Sequence, residues 1–211
     1  MGGIMRGKFV VLEGPDGSGK TTQAKELAAR LRNCGKDVVC VREPGGTILA
    51  EKIRALILDS RDDAPNARAE TLLFLAARAQ VAAGVIAPAI EAGKWVVCDR
   101  FTYSTVAYQG YGRGFSPSVM RDLNRFALPE GLEPDAVAFI DVPLETTFAR
   151  LAARRGTAAD NIEKAGGDFH RRVREGFILQ AKTTPNATLI DGTGTVEATS
   201  EAIWNFIKPL I

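Results

Sequence analysis

The sequence predicts an α/β fold, a five-stranded parallel sheet with helices on both faces, built as a single domain over residues 1–211. Three observations carry that prediction. Short, nearly uninterrupted apolar runs recur along the chain, as strands covered on both faces require. Stretches with apolar residues at helical spacing separate them. A glycine-rich turn joins the first run to the first helix, the strand–loop–helix order of a parallel unit. At 211 residues the chain is long enough to bury a sizeable core.

Residues 9–12 (FVVL) form the first strand, and Ala24, Leu27, Ala28 and Leu31 mark the buried side of the first helix. That helix ends at Asn33-Cys34-Gly35, where Gly35 suits the left-handed position past a helix end. Residues 37–41 (DVVCV) form the second strand, followed by Arg42-Glu43-Pro44-Gly45-Gly46-Thr47. Two charges and Pro-Gly-Gly at a strand's carboxyl end fit a site loop, because open α/β sheets bind ligands there, and they also fit an ordinary turn. Residues 48–58 are amphipathic, with Ile53, Leu56 and Ile57 opposed to Glu51, Lys52 and Arg54.

Residues 64–66 are a loop, and residues 67–92 a long helical region kinked at Pro88. Within it Glu70, Phe74 and Arg78 make a polar–aromatic stripe, and Val81 shares their face. From the residues alone Phe74 reads as core and Arg78 as a solvated charge. Residues 94–98 (KWVVC) are the third strand, with Asp99-Arg100 at its carboxyl end. Residues 101–114 (FTYSTVAYQGYGRG) read as a short helix running into a glycine-rich turn. A helix follows over residues 116–127, opened by Ser-Pro-Ser, then a loop and the fourth strand, residues 136–141. Pro143 opens a helix to about residue 155, and a polar segment containing Arg154 and Arg155 runs on to Gly167. A basic segment there can close over phosphates or be a solvated loop. Residues 169–184 are helical, Leu189 and Ile190 form the fifth strand, and residues 196–207 the last helix.

The glycine-rich turn carries the chemistry. Gly14-Pro15-Asp16-Gly17-Ser18-Gly19-Lys20-Thr21 fits G-x-x-x-x-G-K-[ST], the phosphate-binding loop of nucleoside-triphosphate enzymes. Its glycines let successive backbone N–H groups turn inward, and the helix N-terminus adds partial positive charge. Lys20 is placed to reach the β- and γ-phosphates, and the Thr21 hydroxyl to bind Mg²⁺. Asp99 sits where an acid at a strand end holds Mg²⁺ or its water, and Arg100 can grip phosphate in bidentate fashion. The Asp-Arg pair also fits a surface ion pair.

Charge is near balance, Lys+Arg 27 against Asp+Glu 25, which gives no reason to expect nucleic acid or membrane as a partner. Cys34, Cys40 and Cys98 lack metal-ligand spacing, and Cys40 and Cys98 fall in strands expected to be buried, as reduced thiols of a cytoplasmic protein do. The start, MGGIMRGK, is too short and polar for a signal peptide, and Met5 is an alternative first residue. The apolar stretch 81–90 contains Gly84 and Pro88 and is too short to span a bilayer. His170, the one histidine, has no acidic or cysteine partner in the sequence and reads as a surface residue.

Together residues 14–22, REPGGT (42–47), ETLLFLAARAQ (70–80) and DRFTYSTVAYQGYGRG (99–114) resemble thymidylate kinase of the bacterial type, over nearly the whole chain. That resemblance implies a P-loop nucleoside monophosphate kinase fold and transfer of the γ-phosphoryl of ATP to dTMP with Mg²⁺, giving dTDP and ADP. It implies ATP binding by Gly14, Pro15, Asp16, Gly17, Ser18, Gly19, Lys20, Thr21 and Thr22. Phe74 matches the ring that stacks on thymine, and Arg78 the arginine that hydrogen-bonds the base. Ser104, Thr105 and Gln109 fall in the dTMP site, and Tyr108 matches the tyrosine under the sugar. Asp16 matches an acid near the 3′-hydroxyl and the acceptor phosphate. Arg100 matches the arginine on that phosphate, with Arg54 a second candidate. The segment at about 154–167 is similar to the family's lid, so Arg154 or Arg155 would supply transition-state charge, and the resemblance makes Lys20, Asp16, Arg100, Arg154 and Arg155 the catalytic set. The family's lid often carries Asp-Arg-x-Glu, whereas this chain has Asp160-Asn161-Ile162-Glu163. Homodimerisation through helices is usual there.

The physical demands agree. The acceptor is already a phosphate anion and needs no strong base, while two polyanions must be aligned by cations. A kinase for dUMP, CMP or AMP is the near alternative. A nucleotide-dependent switch is the distant one, and no Asn-Lys-x-Asp guanine signature supports a GTPase.

Overall fold

The computed structural model describes residues 6–58, 63–153 and 166–211. β1 (Phe9–Glu13), β2 (Val38–Arg42), β3 (Trp95–Asp99), β4 (Ala136–Asp141) and β5 (Ala187–Asp191) form one sheet in the order β2-β3-β1-β4-β5, every pairing parallel. Side chains alternate across a strand, and this sheet is covered on both sides. Phe9 and Val11 pack with Val81, Ile86, Val173 and Phe177 in one layer. Val10 and Leu12 pack with Leu27, Leu31, Ile203 and Trp204 in the other. The first layer comes from α3 (Ala67–Val81) with its continuation and from α8 (Gly167–Thr183); the second comes from α1 (Lys20–Asn33) and α9 (Val196–Ile207). Burial on both faces is why β1, β3 and β4 read as unbroken apolar runs.

The outer strands differ. Along β5 only Ile190 is buried, so the strand is longer than the Leu189-Ile190 pair its apolar signal revealed. Along β2 burial is partial, and Cys40 is exposed rather than buried as expected, because an edge strand has one side open to solvent. Cys98, on inner strand β3, is buried as expected.

The long helical region is continuous: α3 passes through a π-helical turn (Ala82–Ile86) into α4 (Ala87–Glu91). Pro88 cannot donate to the turn before it, and the wider spacing just upstream absorbs the interruption. By length and composition the run Ala67–Glu91 could cross a membrane, longer than the stretch singled out in the sequence. Its Val81, Ala82, Ile86, Ala89 and Ile90 instead pack into the sheet's core.

Residues 101–114 depart from the expected helix-then-turn. α5 (Thr102–Thr105) runs directly into a second π-helical turn (Val106–Gly112). Gly112 serves close packing: a Cβ there would lie 2.6 Å from the Phe169 ring on α8. The remaining helices are α2 (Ile48–Leu58), α6 (Pro117–Phe126) and α7 (Leu144–Ala152). His170 is buried, not on the surface, packed edge-on against Phe148 and Phe169.

Candidate active site

The carboxyl ends of β1, β2 and β3 meet at one rim, where the register places Leu12 beside Asp99 and Arg42 beside Asp99. β1 leads into the glycine loop. Gly14 has φ +141°, and a Cβ there would sit 2.2 Å from the Ile140 carbonyl oxygen, so nothing larger fits. Lys20 opens α1 and folds back over the loop, donating to the Pro15 carbonyl at 2.7 Å and the Ser18 hydroxyl at 3.3 Å. Burial, with Arg100 adding to it, holds the Lys20 amine down to about 8. The Thr21 hydroxyl donates to Asp99 Oδ2 at 2.5 Å, bringing together the two oxygens expected at the metal. Arg150 spans the loop and the Asp191-to-Gly194 turn, donating to Gly17 O at 3.3 Å and Gly192 O at 2.9 Å.

Arg100 is the hub. It has φ 72°, unusual for a side-chain-bearing residue, and this turns its guanidinium back across the loop. Nη1 reaches Gly14 O and Ser104 Oγ, each at 3.1 Å, and Nη2 reaches Asp16 Oδ1 at 2.5 Å. The Tyr108 hydroxyl donates to Asp16 Oδ2 at 2.6 Å. Burial opposes the charge of Asp16, but Arg100 and Lys20 outweigh it and hold the carboxyl down to about 2. Beneath them Glu13 accepts from the Phe101 and Ser104 backbone N–H groups and from Ser104 Oγ, and burial raises its carboxyl. Sequence reasoning missed Glu13, which is simply the last letter of an apolar strand.

Two clefts adjoin this hub. One is lined by loop residues Gly17, Gly19, Lys20, Thr21 and Thr22, with Asp99 and Arg150. The other is lined by Phe74, Arg78, Ser104, Thr105, Tyr108 and Gln109. Asp16, Glu43, Arg54 and Arg100 line both.

Arg78 is fully buried, not solvated. Nε and Nη2 meet Glu43 Oε2 at 2.8 and 2.7 Å, Nη2 also meets Phe101 O at 2.8 Å, and Nη1 meets Thr105 Oγ1 and Asn124 Oδ1 at 2.6 Å each. Four of the five guanidinium N–H groups are thus hydrogen-bonded, and Nη2 is also in ion-pair contact with Glu43. Burial pushes the Glu43 carboxyl up to about 7 even beside Arg78. In the sequence Asn124 carries no assigned role, and Glu43 and Arg113 figure only as members of the 42–47 and 99–114 stretches. Glu43 and Asn124 meet Arg78 across 35 and 46 positions and Arg113 meets Glu70 across 43, and no local spacing reports such pairings.

A family description for Thymidylate kinase matches residues 12–203. The chain belongs to the thymidylate kinase family. Thymidylate kinase from Pseudomonas putida (strain GB-1) is 46% identical over 200 residues, covering 94% of each chain. Thymidylate kinase from Pelotomaculum thermopropionicum is 48% identical over 181 residues, 86% of this chain and 83% of that one. The crystal structure of thymidylate kinase from Ehrlichia chaffeensis superposes with a TM-score of 0.78 at 32% identity, covering 96% of this chain and 99% of that one.

Of the described residues that the thymidylate kinase resemblance singled out, all but Gly14, Pro15 and Ser18 of the glycine loop line these two clefts. Phe74, Arg78, Ser104, Thr105, Tyr108 and Gln109 line one cleft, and Lys20, Thr21, Thr22 and Asp99 the other. Arg54 lies on both and donates to Pro44 O at 3.0 Å. Arg154, Arg155 and Asn161 lie outside the described residues, as does the lid segment up to residue 165.

Proposed function

We propose that this chain transfers the γ-phosphoryl group of ATP to dTMP, giving dTDP and ADP. The observation that carries the reading is the meeting of the two clefts at Asp16, Arg54 and Arg100. A phosphate loop on one side and an aromatic, amide-bearing pocket on the other share one junction that carries two arginines. That is what an in-line transfer between two polyanions requires.

In this reading the backbone N–H groups from Gly14 to Thr22 cradle the ATP phosphates. Lys20 exchanges its contacts with Pro15 and Ser18 for phosphate oxygens. Arg100 and Arg54 hold the acceptor phosphate, and Asp16 fixes Arg100 and the Tyr108 hydroxyl beneath the sugar. Phe74 stacks on thymine. Thr21 and Asp99 offer the hard oxygen ligands that suit Mg²⁺, which takes one or two protein oxygens beside phosphate and water. The metal, when bound, would neutralise charge between the phosphates. Arg154 or Arg155 supplies further charge at the transferred group. The chain works as one domain in the cytoplasm, as a homodimer; the exposed Ile48 and Leu49 on α2 and Leu72 on α3 support a helix-to-helix contact.

Steady-state ADP release with Mg·ATP against dTMP, dUMP, CMP and AMP tests this. dTMP is expected to be turned over best, with dUMP second, since one methyl in an apolar pocket separates them by only about 10- to 200-fold. Equal rates with AMP would overturn the assignment. Arg154→Ala and Arg155→Ala, made separately, test the two arginines: if both keep normal turnover, neither supplies the charge.

A further inference from the structure

Gln109 and Thr105 line the base cleft, and each is held from behind by groups whose chemistry allows one polarity only. Gln109 Nε2 lies 3.1 Å from Glu70 Oε1. Arg113 clamps the same carboxylate, Nε to Oε1 at 3.2 Å and Nη2 to Oε2 at 2.7 Å, and itself lies over the Phe169 ring. An ionised carboxylate accepts and cannot donate. The Gln109 amide must therefore turn its NH₂ toward Glu70 and its carbonyl oxygen away. Among the described residues no protein donor takes that oxygen. Thr105 is the complement. Its Oγ1 accepts from Arg78 Nη1 at 2.6 Å, and arginine only donates, so the Thr105 hydroxyl proton is left for the cleft. Arg78 is itself oriented by the Glu43 carboxylate and by Asn124 Oδ1, while Asn124 Nδ2 donates to Thr102 O at 3.0 Å.

We infer that Glu70, with Arg113, and Glu43, acting through Arg78, are positioning residues that fix the base cleft as one acceptor beside one donor. The inference rests on the proposed reading of this cleft as the nucleobase site. An acceptor beside a donor complements a 4-oxo pyrimidine, whose N3–H donates and whose O4 accepts. It opposes a 4-amino pyrimidine, whose N3 accepts and whose exocyclic amine donates. The glutamates thus reject cytosine nucleotides without touching the base, and they leave thymine and uracil undistinguished.

The test compares kcat/KM for dTMP, dUMP and dCMP on single preparations of wild type and Glu70→Gln, so that any inactive fraction cancels in the ratios. A glutamine at position 70 can donate as well as accept, which frees the Gln109 amide to turn. The dTMP/dCMP ratio is expected to fall by at least about tenfold, through KM, while the dTMP/dUMP ratio and KM for ATP stay put. A merely structural role would lower all three acceptors together. Thr105→Val provides the second reading should the first variant not fold: dTMP and dUMP are expected to lose about tenfold or more relative to dCMP. Unchanged dTMP/dCMP ratios in the variants that fold overturn the inference. Wild-type protein inactive on every pyrimidine monophosphate would instead overturn the assignment of the cleft.

Discussion

Binding a nucleoside triphosphate should draw a proton onto Lys20. The amine is buried behind the loop, with Arg100 close by, and these hold it down to about 8. Phosphate oxygens arriving at the loop bring negative charge within contact distance, which restores the ammonium form. With an affinity for protons centred near pH 8, the fraction of free protein carrying neutral Lys20 is about 0.1 at pH 7, about 0.5 at pH 8 and about 0.9 at pH 9. Those fractions are the protons taken up per nucleotide bound. The γ-phosphate contributes little above pH 8, because its own second ionisation, like that of a phosphorylated side chain, lies near 6. Calorimetric titration in buffers of differing ionisation enthalpy reads the uptake as a slope. The slope should rise from about 0.5 to about 0.9 between pH 8 and 9, and vanish in Lys20→Met. A flat slope near zero, or the same slope in the variant, refutes the assignment of Lys20 as the buried amine that meets the phosphates.

Three further outcomes follow from the geometry. Asp16 has its carboxyl lowered from 3.8 to about 2, so its stabilisation is present above 3.8 and lost as pH falls through 2. Denaturant unfolding should show Asp16→Asn losing about 2 kcal/mol of the wild-type advantage across that window; equal acid profiles would contradict the Arg100 pairing. Gly14→Ala must place its Cβ against the Ile140 carbonyl at a φ that side chains avoid, and should lower stability by at least about 2 kcal/mol along with nucleotide binding. Thiol titration of folded protein should modify Cys34 and Cys40 and spare Cys98 until unfolding, since only Cys98 is buried and burial raises its thiol.

Much of the fold was legible because its signals are local. Strands covered on both faces give unbroken apolar runs, so β1, β3 and β4 read directly, and the glycine loop between β1 and α1 announced itself by spacing. What was lost depended on neighbours distant in sequence. Cys40 reads as buried in DVVCV, and only the strand order makes β2 an edge. Gly110 and Gly112 read as a turn, whereas Gly112 is small because α8 presses on it. His170 reads as solvated because the Phe148 ring that covers it belongs to another helix. At the site, the residues of the loop and of the Asp-Arg pair were visible in their motifs. The ion pairs behind the base cleft were not: Glu43 finds Arg78 across 35 positions, and Glu70 finds Arg113 across 43. A list of charged residues does not say which will be desolvated together.

The most direct measurement is a single turnover with ATP isotopically labelled at the γ-phosphate, Mg²⁺ and dTMP, with the products separated by chromatography. Label is expected to move into dTDP in step with ADP formation. Label found only in inorganic phosphate, with dTMP bound and unchanged, would contradict direct transfer between the two clefts.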